Sequence, residues 1–232
     1  MKLVVRDVAA LLNVSEKTVY RWIAQRKLPA HRINDQYRFN RTELLEWATA
    51  GRVPISADIL REAHPGDLPS LAEALRAGGV FHRIFGLDKA AVLAEAVQVM
   101  PLPEEVDRAF LLEVLQARES LGSTGIGHGL AIPHVRNPIV LHIPRPMVSL
   151  CFLERPVDFE AIDGRPVHTL FTIVSPTIRG HLHLLSRLSF GLQQPDFKQA
   201  IDHQALREEI FRQAELIDLT LAKKTARLEP QS

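Results

Sequence analysis

The chain has 232 residues, of which 46% are apolar and 24% charged, with a mean hydropathy near zero. This balance excludes a disordered polyelectrolyte and provides for a sizeable core, while no apolar run approaches the ~18 residues that a membrane span requires. Net charge is only +1, but of 28 basic and 27 acidic residues the first fifty hold nine and five, leaving 19 against 22 elsewhere. A basic first segment beside an acidic remainder points to an anionic partner for that segment. Arg6 and Asp7 interrupt any secretory leader, and the lone cysteine, Cys151, lies in an apolar run and is expected to be a core residue. A cytoplasmic location is expected, without membrane insertion.

Val5 to Leu12 reads as a short helix with Val8, Leu11 and Leu12 on one face. Asn13-Val14-Ser15 breaks it, and Ser15 is placed to cap a second helix from Glu16 to about Gln25. Val19, Trp22 and Ile23 share its inner face, which leaves Lys17, Thr18, Arg21 and Gln25 on another. Leu28-Pro29 ends the unit. Ala30–Ile33 and Gln36–Phe39 then read as a small hairpin across Asn34-Asp35. Asn40-Arg41-Thr42-Glu43 reads as a capping box opening a third helix that buries Leu44, Leu45 and Trp47.

The run from Val14 to Ile23, Leu28-Pro-Ala and Arg38-Phe39 resembles the excisionase or MerR-like winged helix-turn-helix domain, over about residues 1–50. The resemblance implies that Lys17, Thr18 and Arg21 address the major groove of DNA. Arg32 and Arg38 on the wing would meet the phosphate backbone or the minor groove. A module this small buries little, and dimerisation is the usual route to affinity and half-site symmetry, so a homodimer is an option.

Residues 51–67 read as a linker, with a short helical turn at Ile59–Ala63. From Leu68 the pattern changes. Leu71, Ala74 and Leu75 form an amphipathic helix stopped by Gly78-Gly79, and Val80–Ile84 reads as a strand with Phe81 inward. Asp88 caps a helix to about Val99, ended by Pro101 and Pro103, and Glu104–Glu119 is expected to be a second long helix. Its end delivers Arg118 to the stretch Glu-Ser-Leu-Gly-Ser-Thr-Gly-Ile-Gly-His-Gly-Leu-Ala-Ile-Pro-His134. Gly125, Gly127 and Gly129 let the backbone turn sharply or be closely approached, while Ser123 and Thr124 add hydroxyls. Arg118 adds a planar cation suited to a phosphate, and Leu130–Ile132 forms a short strand running into His134. This is no Walker loop, because no Gly-Lys-Ser/Thr follows.

The stretch resembles the phosphorylation-site signature of phosphotransferase-system (PTS) EIIA type-2 domains, the fructose, mannitol and nitrogen-regulatory (PtsN-like) class. Further matches are Phe159-Glu-Ala-Ile-Asp-Gly164, Pro166-Val167 and His181-Leu182 followed by Leu185, so that the resemblance covers about residues 68–220. It implies a phosphohistidine at His134, a phosphate-pairing arginine at Arg118, a second site histidine at His181 and loop hydrogen bonds from Ser123 or Thr124. One departure is His128, where the family often carries an acid or amide. The implied donor is an HPr- or NPr-type phosphocarrier protein. EIIB or regulatory target proteins would be further partners.

Beyond His134, Met147–Leu153 and Val167–Val174 are apolar enough for central strands, joined by a turn at Asp158–Gly164. His181–Gln193 and Phe197 to about Leu219 read as helices, and the tail from Lys223 as frayed. The expected fold is α/β, a mixed sheet flanked by helices, behind a small winged helix-turn-helix domain. The expected divisions are 1–50, 51–67, 68–220 and a tail at 221–232. Neither a cofactor nor a metal is expected: His181 and His183, two apart on a helix, face different ways and chelate poorly.

The functional expectation is a DNA-binding regulator whose EIIA-like part is phosphorylated on His134, linking PTS phosphorylation state to transcription. The alternatives are an EIIA phosphocarrier serving a sugar permease, or an EIIA-like interaction module without phosphotransfer.

Overall fold

Short-range polar signals set the starts of the first two N-terminal helices. The computed structural model describes residues 2–25, 27–33, 36–50, 53, 68–135 and 143–227. Its first elements are β1 (Lys2–Leu3), α1 (Val5–Leu11), α2 (Glu16–Ala24), β2 (His31–Ile33), β3 (Gln36–Asn40) and α3 (Arg41–Ala50). Ser15 Oγ accepts from the Thr18 amide at 3.2 Å, the N-cap expected of it. Val8, Leu12, Val19, Leu28, Phe39, Leu44 and Leu45 are all buried. Trp22 and Trp47, with ring centroids 5.3 Å apart, brace α2 against α3. The strands form an antiparallel sheet in the order β1-β3-β2, and His31 Nε2 meets Glu43 Oε2 at 3.0 Å, tying the wing to α3. The Asn34-Asp35 turn and the Asn40 cap side chain lie outside the described residues, as does the expected linker apart from Val53.

The second part comprises α4 (Leu71–Gly78), β4 (Val80–Ile84), α5 (Lys89–Val99), α6 (Arg108–Ser120), β5 (Gly125–Gly127), β6 (Leu130–Ala131), β7 (Met147–Val157), β8 (Val167–Val174), α7 (Ile178–Gly191), α8 (Pro195–Asp202) and α9 (Arg207–Arg227). Its mixed sheet runs β4-β7-β8-β6-β5. β4 lies parallel to β7 and β6 parallel to β8, whereas β7/β8 and β5/β6 are antiparallel. Helices cover the sheet, so β7 and β8 read as nearly continuous apolar runs, and Cys151 is fully buried within β7. Gly78 is where α4 meets β7: a Cβ there would lie 2.2 Å from the Val148 carbonyl oxygen, so only glycine permits this approach.

The strand expected at Met147–Leu153 runs on to Val157, and three helix boundaries differ from the sequence reading by three residues or more. α6 begins at Arg108 rather than Glu104, because Asp107 Oδ1 caps the Phe110 amide at 3.0 Å and residues 103–106 close a turn first. α7 begins at Ile178 rather than His181, since Thr177 Oγ1 accepts from the Gly180 amide at 3.0 Å. The expected fraying from Lys223 is also corrected. α9 continues to Arg227, with Leu221 buried and Lys224 Nζ 4.6 Å from the Phe190 ring centroid.

His183 and Asp218 tie α4, α7 and α9 together. Asp218 accepts from the Leu71 and Ala72 amides at 3.0 Å each, and Arg187 Nη1 donates to it at 2.7 Å. His183 Nε2 donates to the Pro69 carbonyl at 3.0 Å. Burial, then the charge of Arg187, pushes the His183 imidazole down from 6.5 to about 4, so it stays neutral in the folded chain. The unfolded chain takes up a proton there below pH ~6.5. The stability tied to a neutral His183 is therefore complete above that pH and lost as pH falls toward 4. Unfolding free energy should drop by about 2 kcal/mol across that window, the full ~3 being screened at a ring that is not fully enclosed. Denaturant titrations at stepped pH should show this drop, and it should flatten in His183→Gln.

Candidate functional site

The carboxyl ends of the parallel pair β6 and β8 converge with the first turn of α7, and this junction holds both histidines singled out by the sequence. Past β6, His134 continues the pairing to Ile173 of β8, and the Ile173 amide donates to the Pro133 carbonyl at 3.0 Å. His181 comes from the first turn of α7. The His134 and His181 rings stack with centroids 4.9 Å apart and planes 29° apart. Both are buried, at 3% and 1% exposure. His134 Nδ1 lies 2.8 Å from the Ile132 carbonyl oxygen. A carbonyl only accepts, so Nδ1 carries the proton and Nε2 the lone pair.

Arg118 arrives from the last turn of α6 and is also buried, with Nη1 donating to the Gly122 carbonyl at 2.9 Å. It lines one small cavity together with Ser123, Thr124 and His134. The structure thus brings these four residues together, with His181 against the His134 ring.

The loop hydroxyls, expected to supply hydrogen bonds at a phosphate site, bond protein groups. Ser123 Oγ donates to the Phe159 carbonyl and accepts from the Gly125 amide at 2.9 Å. Thr124 Oγ1 donates to Glu119 Oε2 at 2.5 Å. In this arrangement both hydroxyl protons bond protein groups and hold the loop's shape. The Gly125–Gly127 stretch, read as loop, pairs as β5 with β6. His128 sits exposed at the turn between them with φ 55°, its amide donating to Asp163 Oδ2 at 2.7 Å. That bond, followed by the Arg165 amide, holds the Asp163 carboxyl below its ordinary range. Gly129, at φ 75°, allows His168 to close on the strand, since a Cβ there would lie 2.2 Å from its Nε2.

Glu119 is the residue that the sequence reading missed. Its carboxylate, 5% exposed, accepts from the Thr124 amide at 3.1 Å as well as from its hydroxyl, with Lys89 Nζ at 3.6 Å. Burial pulls the Lys89 ammonium down, but Glu160 and Glu119 together hold it above its ordinary value. The signal was an acid directly after Arg118 at a helix end, where a buried carboxylate needs donors nearby. Glu119→Ala would leave the Thr124 amide buried without its acceptor. It should cost about 3 kcal/mol of stability by denaturant unfolding, with Glu119→Gln recovering part.

On the first part, Lys17 and Arg21 are exposed on α2, and Arg32 is exposed on the wing. Thr18 is half-buried, its hydroxyl 3.0 Å from Ser15 Oγ, and Arg38 is half-buried with Nη2 donating to Gln36 Oε1 at 2.6 Å. Among the described residues no group of three or more His, Cys, Asp or Glu is arranged to hold a metal. Nor is any helix there long and apolar enough to cross a membrane.

Residues 74–215 match the family described as the phosphoenolpyruvate-dependent sugar phosphotransferase system, EIIA 2, and residues 3–52 match a helix-turn-helix domain. A nitrogen regulatory protein of Pseudomonas aeruginosa is 34% identical over 146 residues, covering 61% of this chain and 92% of that one. One of Bradyrhizobium diazoefficiens is 36% identical over 115 residues, 49% and 72% of the two chains. Among solved structures, the nitrogen regulatory protein IIA-Ntr of Neisseria meningitidis superposes with a TM-score of 0.51 at 29% identity, over 63% of this chain and 95% of that one. The mixed sheet, the extent of the match and these relatives agree: the chain belongs to the PTS EIIA type-2 family, with a helix-turn-helix domain preceding the EIIA part.

Proposed function

We propose that this chain is a DNA-binding regulator set by reversible phosphorylation of His134, with a phosphohistidine on an HPr- or NPr-type carrier as donor. The observation that carries the reading is the fixed tautomer of His134, whose Nε2 holds the lone pair beside His181 and Arg118. As Nε2 attacks, its bond to phosphorus forms while the donor's N–P bond breaks, and the donor imidazole leaves with that electron pair. Such a transfer asks the protein mainly to position the group and to offset charge on the phosphoryl oxygens. Arg118 supplies the charge, and His181 orients the His134 ring or hydrogen-bonds a phosphate oxygen.

Lys17, Thr18 and Arg21 on α2 would contact the major groove, with Arg32 and Arg38 on the wing beside the backbone or minor groove. Nitrogen regulatory relatives favour the regulatory reading over sugar transport. The deciding experiment combines phosphorylated donor with a promoter-fragment shift assay. Specific DNA retention at ~150 mM salt that changes with the phospho-form supports the regulator. Phosphate passing onward to an EIIB protein, with no DNA retention, would favour a carrier instead.

A further inference from the structure

His134 is buried although its proposed partner is another protein, and the helix-turn-helix domain reaches the cavity that His134 lines. Thr49, near the end of α3, lines the same cavity as Arg118, Ser123, Thr124 and His134. Its hydroxyl lies 2.5 Å from Ser189 Oγ of α7, and each hydroxyl also reaches the carbonyl four residues back on its own helix, Leu45 and Leu185, at 2.7 Å. Thr49 and Ser189 are 6% and 2% exposed, 140 positions apart in the chain. Around them one continuous apolar core joins Leu44, Leu45 and Ala48 of α3 to Leu182 and Leu185 of α7.

We propose that α3 is a removable cover over the phosphorylation site, so that docking of the helix-turn-helix domain and access of a protein donor to His134 exclude one another. This rests on the reading of His134 as phosphoryl acceptor and adds its regulation. The cavity beside Thr49 measures about 40 Å³, room for a few waters and little more, and His134 is one of its walls. Once phosphorylated, His134 would carry roughly −1.5 to −2 additional charge in a cavity whose walls include Ile126, Ile132 and Leu185 and whose α3 side is Thr49. The docked state desolvates that charge, and the undocked state hydrates it. By linkage, docking opposes phosphorylation by the same factor as phosphorylation opposes docking. Val53 folds back on α3, its amide donating to the Ala48 carbonyl at 2.9 Å, and fourteen residues separate it in sequence from Leu68. The signal from His134 to the DNA-binding helix is then a change in whether the two parts touch.

The test locks the contact in the full chain. Thr49→Cys with Ser189→Cys places two thiols where hydroxyls now meet, within disulfide reach. The native Cys151 is buried, and burial pushes its thiol up to about 12, so it does not compete. Two rates are read: phosphate uptake from phosphorylated HPr-type donor, and carbethoxylation of His134 by diethylpyrocarbonate, which needs no donor. Both should be at least ~10-fold slower in the oxidised protein than after reduction. Thr49→Arg, too large for the contact, should accelerate both several-fold over the unsubstituted chain. Equal carbethoxylation in oxidised and reduced protein would overturn the cover, as would failure of the pair to cross-link under mild oxidation. If carbethoxylation follows the lock while no form accepts phosphate, the cover stands and the acceptor reading is lost.

Discussion

His134→Ala is expected to leave no acid-labile phosphate on the protein after incubation with a phosphorylated HPr-type donor, a loss of at least ~10³-fold in transfer. The reason is chemical. The Nδ1–H bond to the Ile132 carbonyl selects one tautomer and so directs one nitrogen, Nε2, to act as nucleophile. Alanine removes both the nucleophile and its orientation. Folding should survive with a cost of about 2 kcal/mol, because the His181 ring loses its stacked neighbour but the strand pairing with Ile173 is main-chain. Phosphate incorporation followed by peptide mapping checks the result, with near-ultraviolet circular dichroism as the control on folding. Wild-type incorporation in a folded variant would move the acceptor elsewhere, to His181 first. His181→Ala, in contrast, should slow transfer without abolishing it.

The second large effect is expected at Arg118. Removing one oriented donor from a site of developing charge costs about 10²–10³ in rate, and Arg118→Ala should fall in that range in single-turnover phosphorylation. The guanidinium has two tasks: it lines the cavity beside His134, and its Nη1 holds the Gly122 carbonyl that begins the loop. Arg118→Lys separates them. Lysine keeps the charge but not the planar fork that can hold the loop and face a phosphate together. It should recover part of the rate while remaining at least ~10-fold below the native chain. A rate unchanged in both variants would leave Arg118 with loop anchoring alone.

Where a signal spans three or four residues, the sequence carries it fully. Ser15 caps α2 and Asp88 caps α5, each through a side-chain oxygen accepting from an amide three positions on. The apolar runs of β7 and β8 announce strands buried on both faces. Competing local signals caused the misplacements. Glu104 lies in a helical pattern, but Asp107 is the better cap; His181 begins an apolar period, but Thr177, outside that period, opens the helix.

At the site, the arginine and the two histidines were legible and their surroundings were not. Arg118, His134 and His181 stand out because they resemble a family signature, and they do meet in space. Ser123 and Thr124 were equally conspicuous, yet their hydroxyl protons go to Phe159 and Glu119. Which acceptor a hydroxyl chooses depends on groups that only folding brings near.

The sequence by itself determined the two parts of this protein, the helix starts with strong caps, the buried strands and the basic face of α2, since each follows from chemistry within one turn or one strand. Only the tertiary structure decided that Glu119 shapes the loop and that Thr49 reaches the cavity of His134, meeting Ser189 across 140 positions. Contacts of that range come from the packing of apolar faces whose partners no local period specifies.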